Sequence, residues 1–531
     1  MSGADDAFST RLARDLHSRI GSDDVKGSSM LPRRDLVLAL AALPAARTAL
    51  AQGARELVVA QFSETRDLAS IDPMRSLDFT IPGSLVFDPL IGRDAEGHLV
   101  PALASAWTRT APTTWRLTIR EGVRFHDGTP LTAADCAATL NHLLNPANRS
   151  GIRLQVIPLA RAEAPDATTL ILTTSVPTGL LPDVVSGVPT LSAAQLADPA
   201  APWRTAPVGS GPWRIESWRA GERISFAATG VHWELPTPPF PRITVKVVPE
   251  ASTRVADLLS GGSQVAADVP PALLSRVSRG RGVRLVTQTG ARTQYLCSTF
   301  RPPFDDARVR RALYHAVDRA ALAEAVWGDL AEVATGAVPK EFGGYVPAFP
   351  LTDHDPARAR ALLRDAGING PLPVELLAPP SESGAAQVLQ SQLAPAGFEA
   401  RIVPVESTAA VFDPGRLGRE TRGQLWMVTA LDNHAHDAVR PYAAFYAAAG
   451  FLKPTFGYRP DERLEALLGA YAGAEGTTAR GAASAALMAV AKEDAPAVYL
   501  AFPRMAFGVA DAVEMPRTSH GRLDFATLRP R

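Results

Sequence analysis

The chain has 531 residues, long enough for more than one hydrophobic core, and its 46% hydrophobic and 20% charged content excludes a disordered, tail-like molecule. Lysine plus arginine equals aspartate plus glutamate at 54 each, so there is no basic excess to neutralise a nucleic-acid backbone or hold an acidic membrane. Nucleic acid is not the expected partner, and 45 prolines with 40 glycines suit an α/β surface with many turns better than a helical bundle.

Residues 1–51 read as a leader and export signal. Met30 opens MLPRRDLVLALAALPAARTALAQG, in which Arg33 and Arg34 precede the apolar run Leu36 to Leu43, and Ala49-Leu50-Ala51 supplies small residues for cleavage. That run is too short for an ordinary membrane span. The paired arginines point to the twin-arginine route, although RRDLVLA lacks the most typical residues after the pair. The start is Met1 or Met30. Cleavage after residue 51 leaves 47 basic and 48 acidic residues and both cysteines, Cys136 and Cys297, which permit one disulfide without requiring it. Neither cysteine flanks the cleavage point and no other apolar stretch approaches membrane-spanning length, so a free, soluble product is expected.

The mature chain opens with ARELVVAQF, an early buried strand through Leu57, Val58 and Val59, followed by a polar loop with an Asp72-Pro73 turn. TTWRLTIREG sets Trp115, Leu117 and Ile119 against polar neighbours with period two, a strand with one buried face. In GVRFHDGTPLTAADC, Asp127-Gly128 is a turn, and Thr132 with Asp135 forms a capping box for a helix carrying Leu140, Leu143 and Leu144. His126 lies on the turn side with no nucleophile beside it, so His126 and Asp127 are read as structural. RITVKVVPE is a strand through Ile243, Val245 and Val247, leading to a helix from Ala251 through Leu259.

PFDDARVRRALYHAVDRAALAEAVWG reads as one amphipathic helix, capped by Asp305 or Asp306, with Val309, Leu313, Val317 and Ala320 at helical spacing. Its Arg308, Arg310, Arg311 and Arg319 read as solvated or paired surface groups. HDPARARALLRDAGING offers Asp355 as cap, Pro356 at the first helical position and Gly367 as stop. LPVELLAP is a strand, and QVLQSQLAPAGFEARIVPV is a helix and then a strand. Helices over 461–470 and 478–491 precede the strand-like PAVYLAFP and MAFGVA. Alternating helix and strand predicts α/β layers.

Catalytic signatures are lacking. VGSGPW does not match G-x-S-x-G, so Ser210 reads as a loop serine; the sequence holds neither a P-loop nor H-E-x-x-H. LDNHAHDAVRPYAAFY is the richest constellation. Asp432, His434, His436 and Asp437 are metal-donor types, but no complete ligand shell is specified. Asp432 could attract a solute ammonium and Arg440 a carboxylate, each with a surface ion pair as the alternative. Trp426, Tyr442, Phe445, Tyr446 and Tyr295 either pack a core or line a cleft. Cys297 reads as a packing residue unless it pairs with Cys136.

PALASAWTRTAPTTWRLTIREGVRFHDGTPLTAADCAATLNHL, PVGSGPWRIESW, PPFDDARVRRALYHAVDRAAL and DPARARALLRDAG together resemble the extracellular solute-binding family 5, the dipeptide-, oligopeptide- and nickel-binding components of ABC importers. The blocks stand in family order and cover roughly residues 55 to 520. The resemblance implies an α/β type II periplasmic-binding-protein fold: two lobes joined by a hinge, with an extra subdomain inserted in lobe I. It divides the chain into lobe I at 52–77, 201–286 and 496–531, the insert at 78–200, and lobe II at 287–495.

The resemblance also makes the HDG segment scaffold and places Asp432 opposite a peptide amino group, although the family's D-x-x-D-P-like continuation is replaced by His434, His436 and Asp437. Solute contacts are expected from Asp432, Trp426, Tyr295, Tyr442 and Arg440. No catalytic residue, directly bound metal or cofactor is expected. The implied product is a monomeric periplasmic protein. It would capture a short peptide, a modified amino acid or another small organic solute and deliver it to an ABC permease and ATPase complex at the inner membrane. A binding protein for chelated metal such as nickel, and an exported hydrolase, are the alternatives.

Overall fold

The computed structural model describes residues 56–61, 71–74, 80–148, 150, 152–198, 201, 205–290, 292–346, 354–379, 382–406, 424–430, 437–447, 456–459, 461–518 and 523–531. All belong to one compact unit, Arg55–Arg531. The expected leader, 1–51, lies outside the described residues.

β-branched runs such as LVVA and ITVKV assemble a seven-stranded mixed sheet in the order Val283–Gln288, Met505–Ala510, Val265–Ala266, Glu56–Gln61, Arg242–Val247, Arg223–Ala228, Trp213–Arg219. Its central strand, Glu56–Gln61, runs parallel to both neighbours. Leu57, Val59, Ile243, Val245 and Val265 in these strands are completely buried, as a covered parallel centre requires. A second, six-stranded sheet has the order Ala331–Val333, Ala497–Pro503, Thr293–Ser298, Gln424–Ala430, Leu372–Ala378, Phe398–Pro404. A third, of four antiparallel strands, is Ala104–Ala111, Thr114–Ile119, Thr169–Thr174, Leu159–Glu163.

Within the described residues the chain passes between the two large sheets twice. It leaves the seven-stranded sheet after Gln288 and enters the six-stranded one at Thr293, then returns between Pro503 and Met505. The passages run side by side, because Gln288 faces Met505 on one side and Gln294 faces Ala501 on the other. A Cβ on Gly290 would overlap the Pro503 carbonyl oxygen, so only glycine allows so close an approach. The return therefore lies after Pro503. The strand Ala497–Pro503, which the sequence reading put in lobe I from 496, hydrogen-bonds in the six-stranded sheet.

Local signals produce the expected helices in most places. Ala133–Leu144 begins with the Thr132–Asp135 capping box, Thr132 N donating to Asp135 Oδ2 at 2.8 Å. Such a cap contributes about 1 kcal/mol. Pro356–Asp365 has Asp355 accepting from Arg358 N, and Gly367 beyond its end at φ 85°. One expectation fails. The helix read through 307–327 is two, Ala307–Ala316 and Arg319–Trp327, because Asp318 caps the second by accepting from Ala321 N at 3.0 Å. Nor is Arg310 a surface group: it is buried and paired with Asp494 at 2.6 Å.

The four-stranded sheet belongs to the region between the first and second passes through the seven-stranded sheet. It is fastened there by close backbone packing. Gly211 N donates to Val86 O at 2.8 Å, while His126 donates its backbone N–H to Gly209 O at 2.8 Å and its ring Nε2–H to Gly211 O at 2.9 Å. Cβ atoms on Gly209 or Gly211 would collide with the backbone of Leu85–Phe87. The HDG stretch is thus a brace on the GSG loop, and Asp127 closes its own turn by accepting from Thr129 N at 2.9 Å. A second fastening joins Asp88 to His232 Nε2 at 2.9 Å and to Trp233 Nε1 at 3.1 Å, with the Arg120 guanidinium 4.2 Å from the Trp233 ring centre.

Gly209→Ala is expected to lower stability by about 3 kcal/mol through overpacking against backbone that has no rotamer to yield. A urea unfolding midpoint unchanged from wild type would show that the joint is looser than described.

Candidate functional site

The Gln424–Ala430 strand lies in the middle of the six-stranded sheet, antiparallel to Thr293–Ser298 and parallel to Leu372–Ala378. Its last residue, Ala430, faces Thr293, the first strand residue after the passage from the other sheet. The chain that follows Ala430 therefore leaves the sheet on the edge where the two passages run. The C-terminal ends of Leu372–Ala378 and Phe398–Pro404 lie on that same edge. Strand ends of this kind, at the edge where strand direction changes, are where open α/β sheets bind ligands. Asp432, His434 and His436 occupy this connection and lie outside the described residues.

Asp437 ends the connection, and the reason for its position is visible in its partners. It is fully buried; Oδ1 accepts from Tyr471 OH at 2.6 Å and from Val439 N at 2.9 Å, and Oδ2 lies 3.6 Å from Arg480. Gly343 lies against it as an isolated parallel bridge, and Ala438 N donates to Gly343 O at 2.8 Å. A side chain on Gly343 would overlap the Asp437 carboxylate, and one on Gly344, at φ 78°, the Tyr471 hydroxyl. Burial pushes the Asp437 carboxyl above the usual carboxylate range against the opposing pull of these donors, with nearby Asp183 adding to the rise. Sequence reasoning took Asp437 as a metal-donor type. The paired glycines at 343–344 were the only local sign of an intimate backbone contact.

The aromatic residues expected at the solute are enclosed in this conformation. Trp426 is completely buried, stacked on Phe456 with ring centres 4.2 Å apart, and its Nε1 has no hydrogen-bond partner among the described residues. Tyr295 is completely buried between Phe445 and Tyr499, its hydroxyl donating to Ala337 O at 3.1 Å. Tyr442 is 1% exposed and its hydroxyl meets Ser484 Oγ at 2.5 Å. None of the three presents surface to solvent; they bind the sheet to the helices above it. Arg440 lies in the helix Val439–Tyr446, and its side chain is outside the described set.

Other reactive groups are committed to structure. His232 Nε2 faces Asp88 Oδ1 at 2.9 Å, and its Nδ1 accepts from the backbone N–H groups of Glu234 and Leu235 at 3.2 and 2.9 Å. Both ring nitrogens are occupied, so the pair cannot serve as a base for a nucleophile. Ser210 is buried, and its Oγ has no hydrogen-bond partner among the described residues. Cys136 and Cys297 are free and buried in different sheets' packing. Burial pushes the Cys136 thiol up to about 12 and the Cys297 thiol higher still. Among the described residues, no group of three or more His, Cys, Asp or Glu side chains could hold a metal ion, and no helix is long and apolar enough to cross a membrane.

Comparison with known proteins gives this architecture a place. The profile of bacterial extracellular solute-binding proteins, family 5, middle region, matches residues 98–449. The chain belongs to this family, whose members are periplasmic, non-catalytic solute-binding components of ABC importers. The glutathione-binding protein GsiB of Escherichia coli K12 is 28% identical over 381 residues, 70% of this chain and 74% of the relative. The A. tumefaciens R10 protein AgaA, solved with agropinic acid, has TM-score 0.78 and 23% identity over 90% of this chain and 99% of its own. DppA of Helicobacter pylori, solved with the peptide STSA, has TM-score 0.78 and 18% identity over 91% and 99%. NikZ of Campylobacter jejuni, with Ni(L-His), has TM-score 0.75 and 21% identity over 90% and 99%. The fold is accordingly a two-lobed type II periplasmic-binding-protein fold.

A carboxyl held above its unfolded value contributes stability that is complete at acid pH and is lost as pH rises through the folded value. Wild type should therefore gain melting temperature relative to Asp437→Asn as pH falls from the raised value toward the ordinary carboxylate range. Parallel Tm-versus-pH curves for the two proteins would show that Asp437 is not held in this way.

Proposed function

We propose that this chain captures a short peptide or modified amino acid between its lobes in the periplasm and hands it, unaltered, to the permease and ATPase complex at the inner membrane. In this reading the mature protein is a soluble monomer released from a leader ending near residue 51. Asp432 supplies the counter-charge for a solute ammonium, and Arg440 is the candidate partner for a carboxylate. The observation that supports the proposal is the register of Ala430 with Thr293, which ends the strand preceding Asp432 in the sequence at the edge where the chain crosses between the sheets. Trp426, Tyr295 and Tyr442 contribute indirectly, by packing the strand that ends at Ala430 and the helix Val439–Tyr446.

Closure follows from differential contact. A solute that meets both lobes at once is held better in the closed form than in the open one, and it shifts the population by that difference alone. No covalent step is needed. Glutathione is the first probe because curated relatives 28% identical are named as glutathione-binding proteins, and it carries both an ammonium and carboxylates. The reading of a chelated metal as cargo draws support from the likeness to NikZ, together with His434 and His436 in the connection.

For a solute held through its ammonium, Asp432→Asn should weaken binding about tenfold or more, the worth of a charge-assisted hydrogen bond, with the free protein's Tm unchanged. Isothermal titration with glutathione checks this; equal affinity for the two proteins would remove Asp432 from the site. Mass spectrometry of the solute released from protein made in its native host should show a peptide or amino-acid derivative. Stoichiometric metal after chelator-free purification would instead favour a chelate as cargo.

A further inference from the structure

The subdomain carrying the four-stranded sheet is fixed to lobe I by the Gly209–Gly211 joint and the Asp88–His232–Trp233 cluster, yet it also touches lobe II. Ala472 lies near the end of the helix Glu462–Gly473, where the last carbonyls of a helix have no partner of their own. Its carbonyl accepts from Gly179 N at 3.1 Å and from Thr178 Oγ1 at 3.0 Å. Thr178 is held in place by Trp115, whose Nε1 donates to the Thr178 carbonyl at 3.2 Å. Beside this contact Arg109 pairs with Glu475, its guanidinium already oriented by the Pro112 carbonyl at 2.6 Å. Glu475 in turn precedes the helix Gly476–Asp494, an end that favours negative charge. Deeper in, Arg93 and Asp183 of the subdomain lie within electrostatic range of Asp437 in lobe II.

We propose that the subdomain is a rigid arm of lobe I whose Thr178–Gly179 step caps the exposed end of the lobe II helix Glu462–Gly473, a contact made when the lobes close and released when they open. This rests on the capture reading above. Two kinds of contact distinguish the arm's fixed end from its free end. Toward lobe I the contacts are enclosed: glycines pressed on backbone, buried Trp213 and Phe87, and the buried Asp88–His232 hydrogen bond. Toward lobe II it consists of hydrogen bonds and an ion pair to groups that water can satisfy equally when the surfaces part. Gly179, Ala472, Gly473 and Ala474 carry little or no side chain, so these four positions add little apolar area to the contact. The arm thereby adds a solute-independent term to closure, placed away from the solute itself.

The test is a Thr178→Cys, Ala472→Cys protein, cross-linked by oxidation or a short bis-maleimide; the two native thiols are buried and do not compete. Small-angle scattering then compares the cross-linked protein with the same protein kept reduced and freed of solute by dialysis from denaturant. The proposal expects ready cross-linking and a smaller radius of gyration once linked. It also expects cross-linking to slow severalfold when Arg109→Ala and Glu475→Gln are added. An equal radius in the two states would mean a permanent joint, and failure of a folded protein to cross-link would mean the contact does not form; either overturns the proposal. Neither measurement uses a solute. The Tm response of wild type to glutathione reads the capture assignment separately, so the two can fail independently.

Discussion

Two chain passages lying side by side are the constraint on which this structure turns. Because Gln288 faces Met505 in one sheet and Gln294 faces Ala501 in the other, each passage inherits its position from hydrogen-bonded strands on both sides. Their separation is fixed by Gly290 against the Pro503 carbonyl, with no room for a side chain between them. A pair of short connections clamped in register at both ends resists shear along the strands but yields to bending across them, and bending is the motion a capture protein requires. The same geometry bears on the proposed solute site. The central strand of the six-stranded sheet ends at Ala430, opposite Thr293 and beside the passages, immediately before the segment that carries Asp432 in the sequence.

Asp437 and its neighbours show how the chain is anchored where the helix Val439–Tyr446 begins. Burying a carboxylate is costly unless its oxygens are occupied. Here a tyrosine hydroxyl, a backbone N–H and a guanidinium take that role, and two glycines let the Gly343 backbone approach the acid directly. The cost is offset where it fixes the start of the helix Val439–Tyr446 against the Gly343–Gly344 backbone. Arg310, buried against Asp494, with Tyr458 on the other carboxylate oxygen, is the corresponding brace on the far side of the lobe.

Much of the fold was readable from local chemistry. Period two in TWRLTI, the Thr132–Asp135 box and the Asp355-Pro356 start each specify an element without reference to the rest of the chain, and the elements form as read. What local chemistry cannot carry is partner choice. Ala497–Pro503 and Met505–Ala510 look alike as apolar strands, yet they pair in different sheets, and only their distant partners decide which. The break at Val317–Asp318 was hidden because the apolar spacing continues across it while the Asp318 cap competes for the backbone. Tyr295 and Trp426 were legible as apolar and aromatic. That each lies under a helix or a second ring, and shows no surface, depends on helices far along the sequence. Asp432 was proposed both from its charge within LDNHAHDAVRPY and from the family's pattern, and it lies outside the described residues.

The buried cysteines bear on how this protein survives its destination. A family that works outside the cytoplasm meets oxidants, and two thiols on one chain would ordinarily invite a wrong bridge. Once folded, Cys136 sits in the arm and Cys297 in the heart of the six-stranded sheet; neither reaches solvent nor forms the thiolate on which exchange chemistry depends. Protection is therefore a property of the folded state: with the two thiols enclosed in separate elements, neither is presented to an oxidant or to the other.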